Sequence, residues 1–157
     1  MKVIQCLWFE RDMEAAVRLY TSLVPGSTMG PVSTLPSETP SGPPGSVKLA
    51  SFTLGDQAYR AMQAGPLEPF NHSFSITLEC DDQAEIDRLW SALLADGGVA
   101  EQCGWLRDRW GLSWQIVPRR LGELVGDPDR ARAKRVIEAM LKMVKLDIAA
   151  LEAAARG

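Results

Sequence analysis

A shift of 70 residues lays one stretch of this chain onto another: Asp12 falls on Asp82, Arg18-Leu19-Tyr20 on Arg88-Leu89-Trp90, and Leu23 on Leu93. The first stretch carries Ala16, Val17, Leu19, Tyr20 and Leu23 at helical spacing, so both read as amphipathic helices. A strand precedes each. Residues 73 to 80 alternate cleanly, with Phe74, Ile76, Leu78 and Cys80 on one face and Ser73, Ser75, Thr77 and Glu79 on the other. The apolar face must lie against the helix at 82 to 95, which leaves a polar face looking into a hollow. An internal repeat of this kind predicts two copies of one strand-helix-strands unit.

The first copy opens with a strand over residues 2 to 9 and a helix from Asp12, its expected N-cap, to Leu23, where Val24-Pro25-Gly26 stops it. Residues 27 to 35 form a weak strand. Residues 36 to 45 hold four prolines and two glycines, which extend neither ladder nor helix. That loop is either a flap or a plain edge connection. Residues 46 to 54 and 58 to 63 form a hairpin across Gly55-Asp56. After Pro118 the pattern turns helical. A short turn spans 121 to 125, and Asp127-Pro128 starts a long helix to about residue 145. Its apolar stripe is Ile137, Met140, Leu141 and Val144, and Asp147 caps a last helix to residue 155.

Three of the five tryptophans, Trp105, Trp110 and Trp114, fall between Gln102 and Pro118. This stretch reads as a hairpin of strands at about 104 to 108 and 112 to 117, turning through Arg109, Trp110 and Gly111. Alternation puts Ser113, Gln115 and Val117 on one face and Trp114 and Ile116 on the other. Gln115 is thus a polar amide fixed in mid-strand among aromatic neighbours, where it needs hydrogen-bond partners.

With 46% apolar and 24% charged residues and a net charge of -3, the composition is that of an ordinary globular protein. It gives no basis for binding nucleic acid, because the basic residues from Arg119 to Arg135 alternate with acids. No apolar run approaches the roughly 18 residues of a membrane span, and the first residues read as a strand, so a cytoplasmic protein is expected. Three cysteines at spacings of 74 and 23, with no Cys-x-x-Cys, argue against a disulfide framework or structural zinc. Cys6 and Cys80 read as core residues, and Cys103 as a more exposed thiol.

The repeat of strand-helix-strand-strand-strand, Cys-Leu-Trp-Phe in the first strand, Glu-Ala-Ala-Val-Arg-Leu-Tyr on the first helix, and Gln-Cys-Gly-Trp to Trp-Gln-Ile-Val-Pro near the end together resemble the vicinal-oxygen-chelate (glyoxalase, bleomycin-resistance and dioxygenase) superfamily. Within it the chain resembles the bacterial proteins labelled 3-demethylubiquinone-9 3-methyltransferase, related to phosphonate-operon glyoxalase-like proteins. Residues 132 to 150 resemble that family's C-terminal tail. The resemblance implies an α+β fold, a single glyoxalase-like domain whose two βαβββ modules form a curled mixed sheet, or cup. Module one spans 1 to 66, module two 70 to 118, and a helical extension 119 to 157. A homodimer is implied as well.

Metal-dependent members of the superfamily place His and Glu ligands on the first and last strands of each module. Followed residue by residue, those positions fall on Gln5, Ala61, Ser75 and Gln115. Two amides, a methyl and a hydroxyl do not supply the charge or donor strength a transition metal needs, so no metal and no other cofactor is expected. Nor is there a glycine-rich strand-to-helix turn of the kind that holds a nucleotide-type methyl donor.

The expected site is a cup that binds a small polar or aromatic molecule. Gln5 and Gln115 are its paired amides and Ser75 a hydroxyl contact. Phe9, Tyr59, Trp105 and Trp110 are candidate walls, and Gln63 stands where relatives often carry Asn. Two functions stay open. One is a binding or sequestering protein. The other is an isomerase, lyase or transferase in which Cys103 or His72, the single histidine, carries the chemistry. As a general base His72 needs an orienting partner that the sequence does not identify, and Glu79 reads as a rim carboxylate.

Overall fold

Each half of the repeat folds into the same βαβββ unit, and the computed structural model describes all 157 residues. The first unit, Met1–Glu68, contains β1 (Gln5–Phe9), α1 (Met13–Leu23), β2 (Ser33–Thr34), β3 (Lys48–Leu54) and β4 (Gln57–Gln63). The second, Pro69–Gly157, contains β5 (Ser75–Cys80), α2 (Gln83–Leu94), β6 (Val99–Ala100), β7 (Trp105–Arg107) and β8 (Ser113–Pro118). It continues into α3 (Arg119–Val125), α4 (Arg130–Met140) and α5 (Ile148–Arg156). The strands form two open four-stranded mixed sheets, ordered β1-β4-β3-β2 and β5-β8-β7-β6. In each, the first strand runs parallel to the last and the remaining pairs are antiparallel. A parallel pair requires a long crossover, which the helix and two intervening strands supply. The α+β class that the resemblance implies is the one observed.

Burial follows the pleat. In the first unit Leu7, Phe9, Ala50, Phe52, Tyr59 and Ala61 are buried on one sheet face, and α1 buries Met13, Ala16, Val17, Tyr20 and Leu23. Phe52 and Tyr59 are cross-strand partners whose rings stack 5.1 Å apart. Each large side chain so buried contributes about 1.5–3 kcal/mol. In the second unit Ile76, Cys80, Leu106, Trp114 and Ile116 are buried together with Ile86, Leu89, Trp90 and Leu93 of α2. Burial and the nearby Glu85 push the Cys80 thiol up to about 12, consistent with a core residue. Cys6, expected in the core, is exposed because its parity puts it opposite Leu7 and Phe9.

The helix starts depart from expectation in two places. Asp12 does occupy the position before α1, but with φ 57° its carboxylate caps nothing. The Oε1 of Gln63, at the end of β4, accepts the Met13 N–H instead, at 3.1 Å. Asp82, by contrast, caps α2 directly and accepts the Glu85 N–H at 2.8 Å. For α4 the cap is Asp129, whose carboxylate accepts from the Ala131 and Arg132 amides, so Asp127-Pro128 lies outside the helix. The helix ends at Met140 rather than near residue 145, and the expected stripe ends with it. Ala133 and Val136 are buried, while Leu141 and Val144 are exposed.

Residues 27 to 35 yield only the two-residue strand β2. The proline-rich segment is a folded edge connection: Thr39 and Gly42 exchange backbone hydrogen bonds, and the Leu35 N–H donates to Val47 O at 3.1 Å. Helices α3 to α5 bury Leu121, Leu124, Val136, Leu146, Leu151 and Ala155 as a small core of their own. That core is tied to the βαβββ unit by backbone. The amides of Cys103 and Gly104 donate to Met143 O and Val144 O, both at 2.8 Å, and Gln83 on α2 bonds both Leu146 O and the Ile148 N–H. No helix is long and apolar enough to cross a membrane.

Candidate functional site

The sheet face turned away from α2 in the second unit carries two rows of polar side chains. Register places Ser75 of β5 beside Ser113 of β8 and Arg107 of β7, and Thr77 beside Gln115 and Trp105. Gln115 Nε2 donates to Ser75 Oγ at 2.9 Å, so the mid-strand amide has found one partner and keeps its carbonyl oxygen for another. Ser113 is fully buried and its hydroxyl has no hydrogen-bond partner. A buried, unpaired hydroxyl costs stability unless something else satisfies it. On the accessible face the Ser75 hydroxyl and the Gln115 amide thus present hydrogen-bonding capacity beside the half-buried Trp105.

His72 stands at the margin of this face, 6.1 Å ring to ring from Trp105. Its orienting partner is Glu101, just after β6. Glu101 Oε2 lies 2.7 Å from His72 Nε2, and its Oε1 accepts from Arg107 Nε, also at 2.7 Å. Burial pushes the Glu101 carboxyl up, but hydrogen bonds from His72 and Arg107 outweigh it and hold the group below its ordinary range. As a carboxylate Glu101 accepts, so Nε2 carries the proton and Nδ1 is left as the basic nitrogen.

The hairpin under the site is organised by a residue that sequence reading passed over. Asp108 is only 3% exposed, and its carboxylate accepts from the Trp110 and Leu112 amides and from Trp114 Nε1 at 2.9, 3.1 and 2.9 Å. It fixes the turn and the Trp114 ring together. Trp110 therefore belongs to the turn, where the Arg109 guanidinium lies 4.2 Å over its ring. Cys103 is half-buried in a left-handed turn, φ 58°, with its amide bound to Met143 O. Gly104 follows with φ 80°, and an added Cβ would meet Ile116 O at 2.8 Å, so only glycine fits there.

In the first unit the expected contacts lie on the other side of the sheet. Phe9 and Tyr59 are 2% and 8% exposed, in the core. Gln63 bonds the start of α1, and Gln5 Oε1 accepts from Gln57 Nε2 at 2.8 Å at the opposite end of the same face. The reason is a single residue. Three residues, 10 to 12, separate β1 from α1, but only two, 81 and 82, separate β5 from α2. The helices therefore correspond at a shift of 70 and the strands at 71, so Gln5 matches Ile76 and not Ser75. A one-residue slip reverses every side chain. The face of unit one turned from α1 carries Cys6, Trp8, Leu49, Ser51, Arg60 and Met62, and holds a shallow pocket of about 360 Å³.

No three His, Cys, Asp or Glu side chains cluster as a metal site. The superfamily's ligand positions do not fit a transition metal either. In unit one Gln5 and Ala61 lie on the helix side, and the outward pair beside them, Cys6 and Arg60, is one thiol and a cation. In unit two Ser75 and Gln115 are neutral and bonded to each other. Glu101, Arg107 and Ser113 were available to sequence reading as same-face neighbours of Gln115 or as charges near the hairpin, but their partners depend on register.

Comparison with known proteins places this geometry in a family. The family model described as 3-demethylubiquinone-9 3-methyltransferase matches residues 1–117. Among solved structures, the PhnB protein of Bacillus cereus, which carries that same description, is 29% identical over 75% of this chain and 99% of its own, with a TM-score of 0.63. A Pseudomonas aeruginosa protein is 26% identical over 75% of this chain and 97% of its own, at 0.58. The fosfomycin resistance protein FosX of Mesorhizobium loti, 17% identical over 74% of this chain and 90% of its own, shares the fold at 0.52. No functionally curated protein matches the chain. With a family model spanning both βαβββ units, the chain belongs to the 3-demethylubiquinone-9 3-methyltransferase family.

Proposed function

We propose that the protein is a metal-independent, glyoxalase-like binder of a small polar or aromatic molecule, held on the face of unit two by Ser75 and Gln115 beside Trp105. The observation that carries this reading is the half-buried Gln115–Ser75 pair, in which Ser75 Oγ accepts from Gln115 Nε2 and keeps its own proton to donate. A ligand carbonyl there would accept from the Ser75 hydroxyl, and a ligand hydroxyl would donate to the Gln115 carbonyl oxygen. The test is native mass spectrometry of the purified protein, followed by calorimetric titration with small phenols and aromatic carbonyl compounds. Binding that Ser75→Ala and Gln115→Leu each weaken about tenfold or more supports the reading. Affinity unchanged in both variants, or a stoichiometric divalent metal in the native mass, overturns it. A homodimer is part of the same proposal and is read from the same spectrum.

A second reading is supported by Glu101. Because it bonds His72 Nε2 and is itself held by Arg107, Nδ1 of His72 is available as a general base beside Trp105. An enzyme of isomerase, lyase or transferase type then follows. Turnover of a bound compound lost in His72→Ala and reduced in Glu101→Gln, with affinity retained, would distinguish it from simple binding.

A further inference from the structure

The polar face of unit two does not end at Gln115. Two residues further along β8, on the same face and about 7 Å away, Val117 lies beside Glu79 and opens into a groove of about 390 Å³. Its walls are Leu121 and Val125 of α3 and Ile137 and Met140 of α4, with Gly122 between them. The one cation at the rim, Arg119, is already engaged by Asp81 at 2.8 Å and Glu79 at 3.8 Å, so the groove presents little free charge. Val117, Val125 and Met140 are partly buried hydrophobics packed against the small helical core. Apolar surface left half-covered beside a polar row has a direct use. The family model stops at residue 117, so the helices that wall the groove lie outside the matched region.

We propose that this groove is the second half of the binding site and receives the apolar substituent, alkyl or aryl, of an amphipathic ligand whose polar head lies at Ser75 and Gln115. The inference rests on the head-group reading above, and the two fail separately. Val117 is the residue the two halves share: a head group bonded to Gln115 directs a para substituent along β8 toward α3. The helical extension then sets how large a substituent is accepted, while the sheet sets which head group.

A homologous series of 4-alkylphenols from methyl to hexyl, titrated calorimetrically, tests this. Affinity is expected to rise about fourfold per methylene in the wild type. Gly122→Leu is the informative variant. A Cβ at Gly122 meets nothing within 4 Å, and its φ is not in the left-handed region, so the new side chain fills the groove at no cost to the helix. It should flatten the series, as should Ile137→Glu, with circular dichroism confirming that both variants fold. Gln115→Ala should weaken every member by one common factor and leave the slope intact. No chain-length dependence in the wild type, or a slope that persists in Gly122→Leu and Ile137→Glu, overturns the groove. A slope that those two variants abolish but a Gln115→Ala variant with wild-type affinities would keep the groove and overturn the head-group assignment.

Discussion

The two βαβββ units share element order, strand pairing and the direction of every ladder, yet they hold the same elements together by different means. In unit one the β3–β4 hairpin closes through Gly55, at φ 57°, and the exposed Asp56. In unit two the β7–β8 hairpin closes through a longer loop wrapped round the buried Asp108 carboxylate. The first helix takes its cap from Gln63, at the far end of its sheet, and the second from the adjacent Asp82. The outward sheet faces differ most. Unit one shows Trp8, Leu49, Arg60 and Met62, and unit two a polar row backed by Glu101. Topology constrains only the face that packs on the helix. The opposite face is free to change, and there the two units have taken on different chemistry.

The largest test of this contrast is at the hairpins. Asp108→Ala leaves three buried or half-buried donors without an acceptor and should cost about 4 kcal/mol in urea unfolding. Asp56→Ala, at the equivalent but exposed turn, should change stability by less than about 0.5 kcal/mol. Equal effects would show that the two turns are interchangeable after all.

Next are the caps. Asp82→Ala and Gln63→Ala should each cost about 1 kcal/mol, although the second residue is 50 positions from the helix amide it serves. Asp12→Gly should be neutral or stabilising, because Asp12 makes no cap and holds φ 57°. A cost of about 1 kcal/mol at Asp12 would restore the symmetry between the helices.

The smallest effect concerns Glu101, which has no counterpart in unit one's outward row. Its carboxyl lies below the ordinary range in the folded state, so it contributes stability above that range that is lost as pH falls through its folded value. Glu101→Gln should therefore destabilise by about 1 kcal/mol or less at pH 7, and the gap to wild type should close toward pH 3. A gap that is constant with pH would assign the loss to packing alone.

The fold was legible in the sequence because its signals are local. The alternation of 73 to 80 and the helical spacing from Ala16 to Leu23 each describe a few neighbouring residues; the helix is observed, and the strand is observed from Ser75, with Phe74 exposed ahead of it. Which candidate residues share the outward sheet face was legible only in unit two. Ser75, Trp105 and Gln115 do share a face, since alternation within one strand is enough to place them. For Gln5, Phe9, Tyr59 and Gln63 the reading needed the repeat carried across a connection that differs by one residue between units. Local patterns do not reveal that difference, and it inverts the sheet faces. Glu101 and Asp108 were passed over for a related reason. A carboxylate's role depends on which donors register brings to it, and charge alone does not say so.

The long-range cap on α1 also has a temporal meaning. Helix α2 can complete its first turn as soon as Asp82 and Glu85 have left the ribosome, because everything it needs is local. Helix α1 is made first but must wait for Gln63, which arrives only when β4 has been synthesised and laid beside β1. Capping of the Met13 amide is thus a non-local event in an early part of the chain. The growing polypeptide keeps that helix end unfinished until its sheet has formed around it.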